Sequence, residues 1–466
     1  MFGRQVQKEF LHHLLDLRFV VVFAFCILLS GLGTYVGIRN YLLQRAQYQT
    51  VAGKNRETVE NMREKGATFD LEGYGYRWNR RPEALSPLVY GLSGALGQEV
   101  LIQYRRYPRF EASSFATDPV HALFGVLDLA FVVKVVLSLG MLLFTYDAVC
   151  GEKEAGTLRL YASFPVPRSM LALAKLVGST VAVLAPFAVA FLLVCLVLAL
   201  SPELGLGGDD WKRVAVLMGV FSLYLTVFAA FGLFVSALTH RRITAFLGLL
   251  GGWVVWLYVV PNLAVDAAQH FASAGSVYDT DRQVSELREE IRKARQAEEV
   301  AYWEKHRVED WDGLPKAQQT TLLAGAAAVH VRWDKTFYAR LRDLQQEWRN
   351  RAQREQRLAM LLSSVSPLGA VSFMSMDLAR TGPFQQEEVE AALSVYLTYM
   401  ARYVQEQRAR HWDDRAFTDF ASFVYRSHET LEACLRRNVF HVLNLALLAV
   451  LGFAGAYVAI LRYDVR

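Results

Sequence analysis

The sequence predicts an all-α polytopic membrane protein: six transmembrane helices with a mainly helical extracytoplasmic domain built from two insertions. Three observations predict it. Apolar runs of about 20 residues, enough to cross ~30 Å of hydrocarbon, recur six times in the 466 residues. At 53% hydrophobic and 20% charged, the composition is too charged for a chain that is all span and too apolar for a wholly soluble one. Between the runs, apolar residues recur at spacings of three and four, the period of a helix.

The elements follow in order. Over residues 1–18, Val6, Phe10, Leu14 and Leu17 share one face, with Arg4, Lys8 and His12 elsewhere on the wheel. That pattern predicts an interfacial helix at the cytoplasmic surface. The first span, 19–38, stays in the chain, because it lies behind an amphipathic stretch and has no small-residue cleavage site. The first insertion, 39–120, brings Pro87, Gly91, Gly94 and Gly97 and a strand-like Val100-Leu-Ile-Gln-Tyr104, hence a small mixed subdomain. Span two covers 121–146, a polar loop 147–169, span three 170–200 and a short outside loop 201–213. Span four (214–238), a cytoplasmic turn (239–242) and span five (243–263) lead to the second insertion, 264–438. Span six, 439–461, and a tail, 462–466, close the chain.

In the second insertion Val284, Leu287, Ile291 and Ala294 form one apolar stripe and Phe337, Leu341, Leu344 and Trp348 another, which can pair as an antiparallel hairpin. A third stripe, Val389, Leu393, Tyr396, Met400 and Tyr403, would complete a bundle, with the break between helices at Thr381-Gly-Pro383. An aromatic-rich seam of this kind reads as core rather than as a ligand box.

Charge sets the orientation. Arg4, Lys8 and Arg18 at the start, Lys153, Arg159 and Arg168 around the polar loop, Arg241 and Arg242 in the turn and Arg462 and Arg466 at the end place both termini in the cytoplasm. The net charge of +5 is dispersed, which argues against a nucleic-acid partner. Cys26 and Cys195 fall within spans, Cys150 precedes the loop and only Cys434 lies outside, so no disulfide framework is expected.

Span two holds the intramembrane oddity, Asp128 and Lys134. A lysine midway along a span must snorkel, pair or face a wet cavity, so Lys134 either pairs within the bundle or lines a transport path. Six residues put Asp128 about 120° away around an α-helix, a poor position for a partner. Glycines Gly31 and Gly33, and Gly248, Gly251 and Gly252, read as close-packing points. No phosphate loop, H-E-x-x-H, C-x-x-C or G-x-S-x-G occurs, so no catalytic residue, no metal site and no cofactor in this chain are expected. His12-His13 reads as interfacial filler.

Tyr146-Asp147, Gly151-Glu-Lys-Glu-Ala-Gly-Thr-Leu-Arg159, Pro165-Val-Pro-Arg168 and Lys175-Leu-Val-Gly178 together resemble the first cytoplasmic loop of ABC-2-type transporter permeases, in the bacterial subgroup with large extracytoplasmic insertions. Asp118-Pro119, Ser236 to Ala245, Ser366-Pro367 and Ala379-Arg-Thr-Gly382 are further points of likeness. The resemblance implies a multi-pass permease of the bacterial cytoplasmic (inner) membrane that acts as an exporter. It would work as a homo- or heterodimer, with a second copy or a paralogue, on separate cytoplasmic ABC ATPase subunits that use ATP and Mg. It implies that Glu152, Lys153, Glu154, Ala155, Gly156, Thr157, Leu158, Arg159 and Leu160 form the coupling helix that docks in the ATPase, and that residues 1–18 are an elbow helix beside it. A plain membrane anchor is the alternative for the elbow. For the whole chain the alternatives are ATP-driven mechanical work on an envelope partner, and a membrane-anchored scaffold or sensor.

Overall fold

The computed structural model describes residues 2–65, 75–95, 97–103, 110–111, 127–157, 167–308, 311–410, 420–427 and 429–462. They divide into two compact units, Met1–Pro261 with Ser364–Arg466, and Asn262–Ser363. The fold is all-α and polytopic, with six helices long and apolar enough to cross a membrane.

In the first unit, α1 (Phe2–Leu14) is the amphipathic helix and α2 (Leu17–Lys65) carries the first span. The span was expected to end at residue 38, yet α2 runs on to Lys65 without a break. From Arg39 onward the chain is polar but contains no proline and is rich in Leu, Gln, Glu, Arg and Lys, which favour helix with or without a bilayer. A three-stranded antiparallel sheet follows, of β1 (Tyr76–Asn79), β2 (Glu99–Ile102) and β3 (Phe110–Glu111). Tyr76 pairs with Ile102 and Trp78 with Val100.

Helix α3 (129–145) contains a π-helical turn, Val132–Leu137. The residues expected to open this span, 121–126, lie outside the described residues, as do Asp118-Pro119. A short α4 (Cys150–Glu154), α5 (Arg168–Ala199) and α6 (Gly208–Leu238) come next. The loop expected over 201–213 is shorter than that, because α6 starts at Gly208: the Asp210 carboxylate accepts the Gly207 N–H (2.9 Å) and fixes the first turn. Helix α7 (Arg242–Ala272) holds a second π-helical turn, Val255–Val259.

The second unit is the hairpin the first two stripes anticipate. Helices α8 (Val277–Lys305) and α9 (Lys316–Ser363) bury Leu287, Ile291 and Leu341, flanked by Val284, Phe337 and Leu344.

Back in the first unit lie α10 (Pro367–Leu378), α11 (Pro383–Arg410) and α12 (Leu431–Leu461). The third stripe packs within the first unit. Val389, Leu393 and Met400 of α11 share a core with Val59 and Met62 of α2, with Tyr76, Val100 and Ile102 of the sheet, and with Phe420 and Phe423. Reading the seam as core was right and its partner was wrong, since helical periodicity gives a face but not what lies against it.

The bundle core joins α3, α5, α6, α7 and α12 through Phe144, Phe187, Phe221, Tyr224 and Phe228, each essentially buried. One end of it is plugged by residues 85–92: Leu85, Leu88 and Val89 belong to that core, and the Leu88 carbonyl accepts from Ala130 N. Packing is close at two glycines of the spans. A Cβ on Gly37 would lie 2.7 Å from the Pro87 carbonyl oxygen, and one on Gly232 would lie 1.8 Å from Thr145 Oγ1. Of the glycines singled out in the sequence, Gly252 meets Phe231 and Gly33 the backbone of Leu127, whereas Gly31 and Gly251 face open space.

Candidate functional site

The polar loop folds back onto the ends of the spans. Ser236 Oγ of α6 accepts from the backbone N–H groups of Val149 and Cys150 (3.0 and 3.1 Å), which fixes the start of α4. Lys153 Nζ donates to the carbonyls of Ala237 and Thr239, at the end of α6. Glu154 Oε2 accepts the Arg242 N–H (3.0 Å), satisfying one of the orphan donors at the start of α7. Glu152 Oε1 accepts from Lys175 Nζ of α5 at 2.8 Å, and Glu9 of α1 lies 3.4 Å from the same ammonium. Beside them Arg18 of α2 donates to Tyr146 Oη (3.0 Å) and Asp147 Oδ2 (3.2 Å).

These contacts correct one expectation. The charges of Glu152, Lys153 and Glu154 look on the sequence like the rim of a docking surface, buried against nothing in this chain. In the fold all three are spent on the protein itself. What the segment offers outward is its tip, where Ala155, Gly156 and Thr157 are exposed and the chain turns at a left-handed Gly156 (φ 74°). Leu158, Arg159 and Leu160, with Pro165-Val166, lie outside the described residues.

Helix α1 is seated on the same block. His13, four residues after Glu9, places Nε2 3.2 Å from Ser179 Oγ, four residues after Lys175, so two rungs at helical spacing join α1 to α5. The ring is edge-on to Phe144 and 7% exposed. Burial pulls its pKa from 6.5 down to about 4, the neighbouring Glu9 opposing the shift. A base with a depressed folded-state pKa gains protons first in the undocked state, so docking of α1 is firm above pH 6.5 and weakens as pH falls toward 4. The span of that shift is worth on the order of 3 kcal/mol. Ring NMR of labelled histidine should find His13 titrating near pH 4, and spin-label mobility on α1 should rise between pH 6.5 and 4 in the parent but not in His13→Gln. A midpoint near 6.5 would refute this placement.

The intramembrane pair is resolved differently. Asp128 caps α3: Oδ1 accepts from Phe131 N (2.6 Å) and Oδ2 from Tyr90 N (2.8 Å). Lys134 sits in the π-helical turn, half-buried, with Nζ 3.4 Å from Ser372 Oγ of α10 and no ion pair within 4 Å among the described residues. Its carbonyl accepts from Ser138 Oγ (2.6 Å) and Tyr224 Oη (2.8 Å), and Trp253 Nε1 donates to Ser138 Oγ (2.9 Å). Asp128 and Lys134 therefore do not form one hydrogen-bonded site.

Sequence reasoning missed the largest buried charge cluster, at the other end of the bundle. Arg213 of α6 has a fully buried side chain, donating to Asp209 (2.9 Å) and to the Leu378 and Glu429 carbonyls (3.4 and 3.0 Å). Asp377 accepts from Arg437 (2.5 Å) and from Asn438, while Arg437 also reaches Glu429. Arg380, in the left-handed region (φ 57°), binds Asp209 and Asp210. Asp377, Glu429 and Cys434 place ligand-type atoms within 4.8 Å of one another, yet the Arg437 guanidinium already occupies the position a metal would take. The signal was available: Asp377 interrupts an apolar stretch and Arg213 opens one, and such charges seek partners.

A polytopic bundle with a polar loop clamped to one end of its spans is a multi-pass membrane protein. Residues 6–464 match the family described as ABC-2 family transporter protein, and the chain belongs to that family. Among curated proteins it is similar to the probable ABC transporter permease protein NosY of Stutzerimonas stutzeri, 30% identical over 138 residues, which are 29% of this chain and 49% of the relative. The chain thus spans about half the length of that relative.

Proposed function

We propose that this protein is the permease subunit of a bacterial ABC transporter of the inner membrane, with both termini and the tip at 155–157 in the cytoplasm and both insertions outside. A separate ATPase docks on the tip, and a second permease copy or paralogue completes the membrane part. One observation carries the reading: the segment 150–157 is bonded to α5, α6 and α7, and through Lys175 to α1, while presenting an exposed tip. A push on the tip therefore reaches four elements together, which is what coupling ATP hydrolysis to membrane movement requires.

Because Glu154 caps α7 and Gly156 is left-handed, the clean test uses Ala155→Trp, and Thr157→Arg, which gives up only the exposed bond from Thr157 Oγ1 to the Glu152 carbonyl (3.3 Å). Overpacking and misplaced charge in a small interface each cost about 1–3 kcal/mol, so co-purification of the ATPase should fall roughly 10-fold to 100-fold with the permease intact. Undiminished co-purification of both variants would make the loop an ordinary connector.

A second reading, mechanical transmission to an envelope partner without solute movement, is favoured by the unbroken α2, which joins Arg18 at the inner block to Val59 and Met62 in the core beneath the sheet. ATP-dependent distance changes between spin labels on the sheet and the bundle would support it, and their absence would remove it.

A further inference from the structure

Lys175 touches both α1 and the coupling segment through charge, and its side chain is 3% exposed. We propose that Lys175 is a positioning residue that makes α1 a driven part of the coupling machinery: its ammonium holds Glu9 of α1 and Glu152 of the coupling segment together, so that movement of the segment is delivered to the interfacial helix as well as to the spans. This deepens, and rests on, the reading of 150–157 as the ATPase-facing segment.

The geometry is that of a shared node. Two carboxylates, 12% and 21% exposed, converge on one cation from different elements, Glu152 at 2.8 Å and Glu9 at 3.4 Å. With the ammonium present each acid is attracted to the centre. With it removed, two half-buried carboxylates face each other across the same gap and repel. Replacing this lysine by an apolar residue therefore changes the sign of the force between α1 and the segment. The second Glu152 oxygen is buried and lacks a partner, so Lys175 is the one tie on the Glu152 carboxylate. A close seat accompanies the node. A Cβ on Gly178, one turn along α5, would lie 2.5 Å from Glu9 Cβ, so α1 rests directly on the α5 backbone, and the His13 to Ser179 rung prevents it from pivoting about Glu9.

The three charges also have separable roles. Glu9→Gln should free α1 while leaving the segment on α5. Glu152→Gln should loosen the segment from α5 while leaving its ties to α6 and α7 in place and α1 seated. Lys175→Met should release both, and Lys175→Arg, which keeps a cation with several donors, should restore both. A residue that merely stabilised the fold would not divide its effects this way.

The test uses the full chain in nanodiscs with nitroxide labels at the exposed positions Gln7 and Thr157, the four native cysteines being buried or half-buried. The parent and Lys175→Arg should give one narrow distance between the labels, and Lys175→Met, Glu9→Gln and Glu152→Gln broad ones. With the ATPase bound, Lys175→Met should keep co-purification and lose about tenfold in permease-dependent stimulation of ATP hydrolysis, the size of an ordinary coupling term. A distribution as narrow in Lys175→Met as in the parent, or stimulation unchanged, overturns the proposal. If Lys175→Met fails to insert, the two single glutamine variants carry the same distance test. The distance measurement needs no ATPase, so it reports on the bridge even if the tip variants Ala155→Trp and Thr157→Arg show that no ATPase docks there.

Discussion

Replacing Gly232 by alanine is expected to destabilise the bundle by about 3 kcal/mol, the upper end for overpacking a well-packed core, and replacing it by valine should abolish assembly. The added Cβ would lie 1.8 Å from Thr145 Oγ1 and 2.6 Å from Thr145 Cβ. Thr145 cannot move aside, since it is 1% exposed and its hydroxyl donates to the Met141 carbonyl at 2.9 Å. Helices α3 and α6 would have to separate, and Ser236 one turn further on would lose its grip on the start of α4. The companion change Thr145→Gly removes the obstructing atoms, so Gly232→Ala with Thr145→Gly should regain most of the loss. Thermal unfolding of the nanodisc-embedded variants measures both; a Gly232→Ala midpoint equal to that of the parent would mean that the helices are not held this closely.

Arg213→Met should cost about 3–5 kcal/mol, the usual penalty for removing one partner of a buried ionic network. The guanidinium is fully buried and holds three elements at once: Asp209 on its own helix, the end of α10 through the Leu378 carbonyl, and the approach to α12 through the Glu429 carbonyl. Methionine fills much of the volume but leaves both carbonyls without donors. Lysine would recover only part of the loss, because a single ammonium cannot match the fork of a guanidinium across those acceptors. The readout is the thermal midpoint together with protease sensitivity at the α10 to α11 connection. An Arg213→Met protein as stable and as protected as the parent would show the cluster to be dispensable.

Length and apolarity made the six spans legible, because hydrocarbon thickness imposes both and little else in a sequence does. The continuation of α2 was hidden for the same reason: the apolar run ends where the bilayer does, while the helix ends only where its backbone meets a residue that cannot continue it. In the segment 150–157 the residues were legible and their directions were not. Glu152, Lys153 and Glu154 read identically whether they point to a partner or to Lys175, Thr239 and Arg242, since the answer depends on residues distant in the chain. Arg213 and Asp377 were conspicuous singly, but their gathering into one cluster at one end of the bundle is a tertiary fact. The sheet was half visible: Val100 and Ile102 alternate inward as the strand pattern requires, while their cover, Leu393 and Met400, lies nearly three hundred residues downstream.

The two π-helical turns each amount to one residue inserted into a helix. One residue is 100° of rotation in an α-helix, so everything on the far side of such a turn faces a direction that heptad counting from the near side would misassign. The surplus residue could in principle migrate along the helix like a dislocation in a crystal, turning the intervening stretch as it passes. Here both dislocations are pinned through the carbonyls that the wide turn exposes: Ser138 and Tyr224 hold the Lys134 carbonyl, and Ser366 holds that of Trp256. The facing of α3 and α7 toward their neighbours is thus set by a few hydroxyl groups, and a relative of this protein lacking the hydroxyls would be free to carry the same spans in a different rotational phase.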